Sequence, residues 1–393
     1  MRLPRPRRGP LTRQSWPLQS AAKAIAAPGC GPTDVALNDP LFATAPTIEV
    51  GGQSYPLLQA NLVTMIMREA LGGLSSLELS FIDSVQDGGA SHYAAGPGSP
   101  LELGAGVRVF AGAHEQGAPE IFDGQITAVE GEIRDGQPPL FTVLAEDRLF
   151  PLRRKRRTVL FEDKSLGDVI TKVCSDHHLT AQVREGVDAA ARNWVQTDET
   201  DLAFLRRICS RFDCDLQVVG DQVQIGRIGQ DRRALIPLAV GSTLIAARIT
   251  ADIADQVSSV IVSSFDPGEG SPVLSGKDAA GFGPGRGKTG KEVLADKFDS
   301  VAMRACRHGP LSDADGDRLA EIDGQRRARG FVRVDGVARG NGSLRVGSWV
   351  ELAGVNPQFA NLYTVYEAVH RFDSQSGYRT EFRGECAYLG APQ

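Results

Sequence analysis

The chain has 393 residues, 41% of them hydrophobic and 23% charged, and a formal net charge of -5. That length supports two or three domains with cores of their own. The acidic balance argues against a dedicated nucleic-acid binder, and no run of 18 apolar residues is present to span a bilayer.

Residues 1–45 open with "MRLPRPRRGPLTRQSWPLQSAAKAIAAPGCGPTD", basic and Pro-rich, and lack the continuous apolar segment of a secretory signal. The reading is a disordered arm on a protein made in the cytoplasm. Its six cysteines, scattered without a close-paired framework, are expected as reduced thiols.

Residues 46–152 carry the texture of short strands. "VRVF" alternates, "EIFDGQITAVEGEI" sets Ile121, Ile126 and Val129 among polar neighbours, and "FTVLAED" adds a further strand. The segment "NLVTMIMREALGGLSSLELSF" reads as a strand followed by a loop or short helix. Together these give a first antiparallel β-barrel-like domain.

Residues 153–235 differ. Ser165 followed by Asp168 is a near-miss of a capping box, with Asp where Glu or Gln is usual. Leu166, Val169, Ile170, Val173 and Cys174 then share one helical face. A second helix lies in "TDETDLAFLRRICSRF", with Thr197 or Asp198 as cap and Leu202, Leu205, Cys209 and Phe212 as the buried stripe. "CDLQVVGDQVQIG" alternates on both sides of Gly220-Asp221, the mark of a hairpin. Helix, helix and hairpin make a small α+β domain.

Residues 236–393 return to strands. Gly, Ser and Pro dominate from Pro267 to Gly290 and predict a long loop, part of a Gly-rich insertion over about 267–310. "KEVLADKFDSVAMRACRH" and "DADGDRLAEIDGQRRARG" each hold helical turns, the second closing at Gly330. "FVRVDG", "GSWVELAG", "LYTVYEAVHRFD" and "YRTEFRGECAYLG" are closing hairpins, with turns at Asn341-Gly342 and Gly347. The fold class is mainly β with α+β: two antiparallel β-barrel-like domains flanking a smaller α+β domain.

Four patterns invite a chemical reading. "GFGPGRGKTG" holds Gly287-Lys288-Thr289, yet a phosphate-binding loop needs a glycine five positions before Gly287 and Phe282 stands there. His177-His178 with Cys209 or Cys214 would be a metal set of poor spacing. Asp313, Asp315 and Asp317 alternate as calcium ligands do, but Gly316 is fourth and Gly324 twelfth, against the calcium-loop pattern. "RRKRR", Arg153 to Arg157, lacks the aromatic platform of single-strand binders and reads as a solvated edge or an intersubunit salt-bridge surface. No nucleophile elbow, H-E-x-x-H helix or dinucleotide fingerprint occurs, so no catalytic, cofactor-binding or metal residue is assigned and no enzyme activity is expected.

The string "FDGQITAVEGEI", "FTVLAEDRLFPLRRKRRTVLFEDKSLGDVITKV" and "WVQTDETDLAFLRRICSRFDCDLQVVGDQVQIG" resembles the phage late control protein D and VgrG family, hub proteins of contractile tails and injection systems. The marks are Asp147-Arg148-Leu149 before the basic run, Phe161 to Ile170, the "TDETDLAFLRRI" helix and the hairpin ending at Gly226. His370 and Tyr378 stand at matching places in the closing hairpins. The likeness covers roughly 48–390. It implies a homotrimer whose two β domains per subunit form a pseudo-sixfold ring, joining a sixfold tail tube to a threefold spike, with the α+β domain at the periphery. Full VgrG proteins continue into an OB-like domain and a β-helical spike. This sequence stops at Gln393, so a separate spike protein is expected as partner, beside the tube protein and other baseplate proteins. Assembly into the baseplate of a phage tail or injection particle follows, without membrane insertion. The alternatives are an effector-loading VgrG-like adaptor, with 267–310 gripping cargo, and a tail-associated hydrolase.

Overall fold

Apolar residues at alternate positions bury one face of a strand, and here that rule builds a sheet. The computed structural model describes residues 45–87, 90–93, 99–112, 117–187, 190–310 and 312–390. The basic arm expected at the N-terminus lies outside these residues up to position 44. The first β region comprises β1 (Thr47–Val50), β2 (Gln53–Ser54), α1 (Pro56–Ala60), β3 (Leu62–Ala70), β4 (Ser76–Ile82), β5 (Ser84–Asp87), β6 (Ala90–Tyr93), β7 (Gly106–Phe110), β8 (Glu120–Glu132) and β9 (Leu140–Asp147). Met65, Met67, Leu77, Leu79 and Phe81 point inward and meet Val107, Val109, Ile121, Ile126 and Val143 in one core. The segment from Asn61 is a tight hairpin rather than a strand with a loop or short helix. β3 and β4 pair from Leu62↔Phe81 to Arg68↔Ser76, and Leu71-Gly72-Gly73-Leu74 makes the turn.

The middle region starts with a 3-10 turn at Phe150–Arg153 and continues through β10 (Arg156–Lys164), α2 (Leu166–Asp176), β11 (Thr180–Val183), β12 (Arg192–Thr200), α3 (Asp201–Arg211), β13 (Cys214–Val219) and β14 (Gln222–Arg227). Asp168 completes a reciprocal capping box with Ser165 despite its short side chain. Thr200 caps α3, in place of the expected Thr197 or Asp198, because β12 runs on to Thr200, bulging at those two residues between its Gln196↔Val159 and Glu199↔Arg157 pairs. Leu202, Leu205, Cys209 and Phe212 are buried, as the stripe predicts, with Leu166, Val169, Ile170 and Val173 against them. β13 and β14 form the expected hairpin, and β11 lies parallel to β14.

The second β region holds β15 (Leu235–Ala239), β16 (Leu244–Ala251), β17 (Ser259–Asp266), β18 (Ser271–Asp278), β19 (Lys288–Thr289), α4 (Gly290–Lys297), β20 (Ala302–Pro310), α5 (Asp313–Arg329), β21 (Val332–Arg339), β22 (Trp349–Ala353), β23 (Leu362–Asp373), β24 (Gly377–Cys386) and β25 (Tyr388–Leu389). The stretch from Pro267, expected as a long loop, carries the strand β18. β18 pairs with β17 from Ser259↔Asp278 to Asp266↔Ser271, β20 runs parallel to β17, and α5 closes a small core of Val260, Val262, Leu319 and Ala320. Small inward residues such as Val273 and Ser275, among Gly and Ser, hid this strand.

Among the described residues the large sheet has 13 strands, in the order β16-β21-β24-β23-β3-β4-β9-β8-β7-β1-β2, with β15 and β22 branching from β23. The two β regions thus keep separate cores but share one sheet through β3 and β23, paired from Glu367↔Ala70 to Asp373↔Thr64. The β3–β4 turn packs closely against the middle region. Gly73 has φ +67°, and a Cβ there would stand 2.6 Å from Leu149 Cδ1 and 2.9 Å from the Leu216 carbonyl oxygen. Gly73→Ala is expected to cost about 1–3 kcal/mol for the left-handed backbone alone, read as a lowered urea midpoint.

Candidate functional site

A glutamate lies where β3 should present an apolar residue. Met65, Met67 and Glu69 share one face of the strand, and Glu69 is 1% exposed. Two guanidinium groups meet it. Arg233, from the β14–β15 connection, donates through Nη1 to Oε1 at 3.0 Å, and Arg345, between β21 and β22, donates through Nε to Oε2. Burial opposes the carboxylate's charge, but Arg345 and Arg233 outweigh it and hold Glu69 below its ordinary value. His370 on β23 is wholly buried nearby, its Nδ1 2.6 Å from the Tyr378 hydroxyl. Burial first, then the charge of Arg345, pushes His370 down to about 3, so its ring is neutral.

The backbone of the β3–β4 turn is gripped by side chains of the middle region. Asp215 accepts from the Gly72 amide at 2.7 Å, Arg206 donates to the Gly72 and Gly73 carbonyls at 2.7 Å each, and Gln217 donates to the Ala70 carbonyl at 3.0 Å. Asp147, at the end of β9, accepts from the Ser75 amide at 2.6 Å and the Leu149 amide at 2.9 Å. Loss of water around these carboxyls pushes Asp147 up to about 6 and Asp215 up to about 7, with the charge of Glu69 adding to both. A second knot forms at Asp213, which follows α3 with φ +54°. Arg329 donates to it through Nη1 at 2.5 Å and Nη2 at 2.9 Å, and donates through Nε to Glu385 at 2.8 Å. These two knots tie α5, β13, β24 and β3 into a joint between the three regions. Sequence reading missed Glu69, Arg233, Asp213, Arg329 and Arg345, although Met-x-Met-x-Glu alternation places Glu69 on the inner face.

The residues singled out for chemistry stand apart from this joint. Lys288 lies in the β19–β25 ladder, its ammonium 2.5 Å from Asp296, while Thr289 and Glu292 form the capping box of α4. A Cβ at Gly287 would fall 2.4 Å from the Leu389 carbonyl oxygen, so that glycine serves close packing of the chain end. His177 Nε2 lies 2.8 Å from Asp201, and His178 takes a left-handed conformation after α2. Cys209 is buried and its thiol is pushed well up by desolvation. Ser312 caps α5, Asp315 pairs with Arg192 at 3.0 Å and Asp317 with Lys277 at 2.8 Å. Among the described residues no group of three or more His, Cys, Asp and Glu is placed to hold a metal ion. In the basic run Arg153 pairs with Glu146 at 2.5 Å, Arg156 with Asp198 at 3.2 Å, and Arg157 with Asp201 at 2.6 Å. No helix among the described residues is long and apolar enough to cross a membrane.

The sheet ends differently on its two sides. β16 pairs with β21, and its other edge is open among the described residues apart from one bridge between Val240 and Leu244. Val240 and Ile245 are 56% and 49% exposed and border a groove of about 430 Å³ with Val355 and Phe359. The opposite end is the short β2.

Two outcomes test the joint. Glu69→Gln leaves the buried Arg345 and the half-buried Arg233 without their carboxylate and is expected to cost about 3–5 kcal/mol of unfolding free energy in urea. Asp147 and Asp215 bind protons more tightly in the folded chain than in the unfolded one. Their contribution to stability is therefore full below their ordinary value of 3.8 and is lost as pH rises toward about 6 and about 7. Between those limits the double variant Asp147→Asn/Asp215→Asn should show a flatter fall of stability with pH than the parent chain, measured by urea unfolding at a series of pH values.

A family model described as the Alg8 N-terminal domain matches residues 45–373. No curated protein matches the chain in sequence. The fold is shared with solved structures at low identity. The 43 kDa tail protein of prophage MuSo2 from Shewanella oneidensis aligns with TM-score 0.64 and 12% identity, over 87% of this chain and 98% of that one. The tail protein of Neisseria meningitidis MC58 gives 0.62 and 11%, over 87% and 96%. The E. coli c3393 protein, described as a type VI secretion component similar in structure to the T4 tail proteins gp27 and gp5, gives 0.58 and 12%, over 88% and 79%.

Proposed function

The chain belongs to the Alg8 N-terminal domain family, and we propose that it is a structural baseplate hub of a contractile tail or injection system, of the late control protein D and VgrG kind. The observation that carries this reading is one sheet that joins two β regions and ends in two unlike edges. A strand edge left open is a template for further pairing, and proteins that keep one usually cover it. Contact between unlike ends of identical chains is head-to-tail, and such contacts close into rings when the rotation per subunit allows. We place β16 of one copy, with its apolar groove, against the β1–β2 end of the next.

Three copies would set six β regions around an axis in alternation, matching a sixfold tube on one face and a threefold spike on the other. The solved tail and secretion proteins that share the fold support a place in such a particle. The tube protein, a separate spike protein and other baseplate proteins are the proposed partners. In this reading the chain transmits load and frames a passage, and it performs no bond chemistry.

Multi-angle light scattering of the purified chain is expected to give the mass of three subunits. Ile245→Lys puts a charge into the groove edge and should shift that mass toward one subunit while the circular dichroism spectrum is unchanged. A monomer for the parent chain, together with no binding to tube or spike protein, would remove the reading.

A further inference from the structure

We propose that one ion pair, between Arg248 of one copy and Glu102 of the next, fixes how the two ends of the sheet meet, with Leu57 and Leu103 entering the β16 groove. The proposal rests on the head-to-tail contact of the hub reading and names what the groove takes. Its ground is the distribution of charge. In a chain with 23% charged residues, both ends of the sheet are almost without charge. Residues 234–251, which run through β15 and β16, hold Arg248 alone, and residues 352–366, which supply the rest of the groove, hold none. At the opposite end residues 50–61, from the end of β1 through α1, hold none, and residues 99–107, which lead into β7, hold Glu102 alone. Burial does not explain this. Leu57 and Leu103 are 62% and 65% exposed, and Ala246 and Ala247 on β16 are exposed beside Ile245. The open surface of a soluble protein ordinarily mixes charges of both signs, whereas the centre of a protein interface is poor in them.

The two lone charges are of opposite sign. Both are exposed, and neither is in an ion pair among the described residues. Arg248 stands opposite Asp335 in the β16–β21 ladder, but that carboxylate is taken by Arg383 at 3.0 Å. Glu102 opens a turn in which its carbonyl accepts from the Ala105 amide at 3.1 Å, and the next residue, Gly106, accepts from the Gly51 amide at 2.8 Å. That turn therefore adjoins the β1–β2 turn, and α1 with Leu57 follows β2 directly. A charge enclosed in an apolar contact is costly unless the other side supplies its counterpart. Here each end supplies the counterpart of the other. Two like ends brought together would set Arg248 against Arg248 or Glu102 against Glu102, so the same pair disfavours a two-fold dimer and favours head-to-tail closure.

The test is sedimentation equilibrium of the full chain over a range of concentrations, with circular dichroism as the check of folding. Arg248→Glu and Glu102→Arg are each expected to raise the dissociation constant of the assembly about tenfold or more. The double reversal Arg248→Glu/Glu102→Arg restores the pair with its signs exchanged and is expected to return the constant to within about threefold of the parent value. Lys155→Glu, an exposed reversal in the middle region, should leave it unchanged. Leu57→Ser/Leu103→Ser probes the same contact without a change of charge and should weaken it by a similar factor. A trimer indifferent to the single reversals or to the leucine variant, or one that the double reversal fails to rescue, overturns the pairing and leaves the hub reading standing. A monomeric parent chain that binds tube or spike protein also overturns the pairing, and one that binds neither removes the hub reading with it.

Discussion

The antiparallel pairing of β3 with β23 organises the described fold. It unites a hairpin near the start of the chain with one near its end, and so converts two β regions with separate cores into one sheet. Backbone pairing alone would tolerate a slip along the strands, since a shift by two residues preserves which side chains face inward. Glu69 removes that freedom. A buried carboxylate is tolerable only beside its two guanidinium partners, and Arg233 and Arg345 come from two different connections of the second half. The ionic knot thus fixes register at the one place where register decides how the halves sit.

The middle region extends the same logic. Its hold on the β3–β4 turn is made by hydrogen bonds to backbone groups of Ala70, Gly72 and Gly73, which leaves little room for a hinge at that point. Asp213 and Arg329 repeat the device on the other side, where α5 meets β13 and β24. Joints made of charged and backbone bonds, unlike sliding apolar faces, have few alternative arrangements of similar energy. Carboxyls held at about 6 and about 7 make the joint responsive to acidity, with protonation favouring the folded arrangement.

Sequence periodicity showed the elements that bury a full stripe and concealed those that do not. α2 and α3 were legible because Leu166, Val169, Ile170 and Leu202, Leu205, Cys209 repeat at helical spacing. β10 and β12 were not, because Leu160 and Val195 face outward at 53% and 51% exposure and the strands carry charge on both faces. The Gly-rich stretch after Pro267 concealed β18 since its inward residues are small. The cap of α3 fell at Thr200 because β12 resumes pairing with β10 at Glu199 and Thr200, after a bulge at Thr197 and Asp198. The joint was not legible, because its residues lie far apart in the chain: Glu69 reads as a surface glutamate until its neighbours Met65 and Met67 set the face. His370 and Tyr378 were marked only through the family resemblance, and the structure shows them as a buried, hydrogen-bonded pair.

The proposal of a closed ring rests on one sheet with unlike ends and a joint that ties its two halves together. The most direct measurement of that claim is the projection of the purified assembly along its axis by electron microscopy. Six β lobes around a central opening, three with an attached peripheral lobe in alternation with three of different outline, are expected. A compact particle without an opening, or lobes that cannot be divided into two alternating kinds, would contradict it.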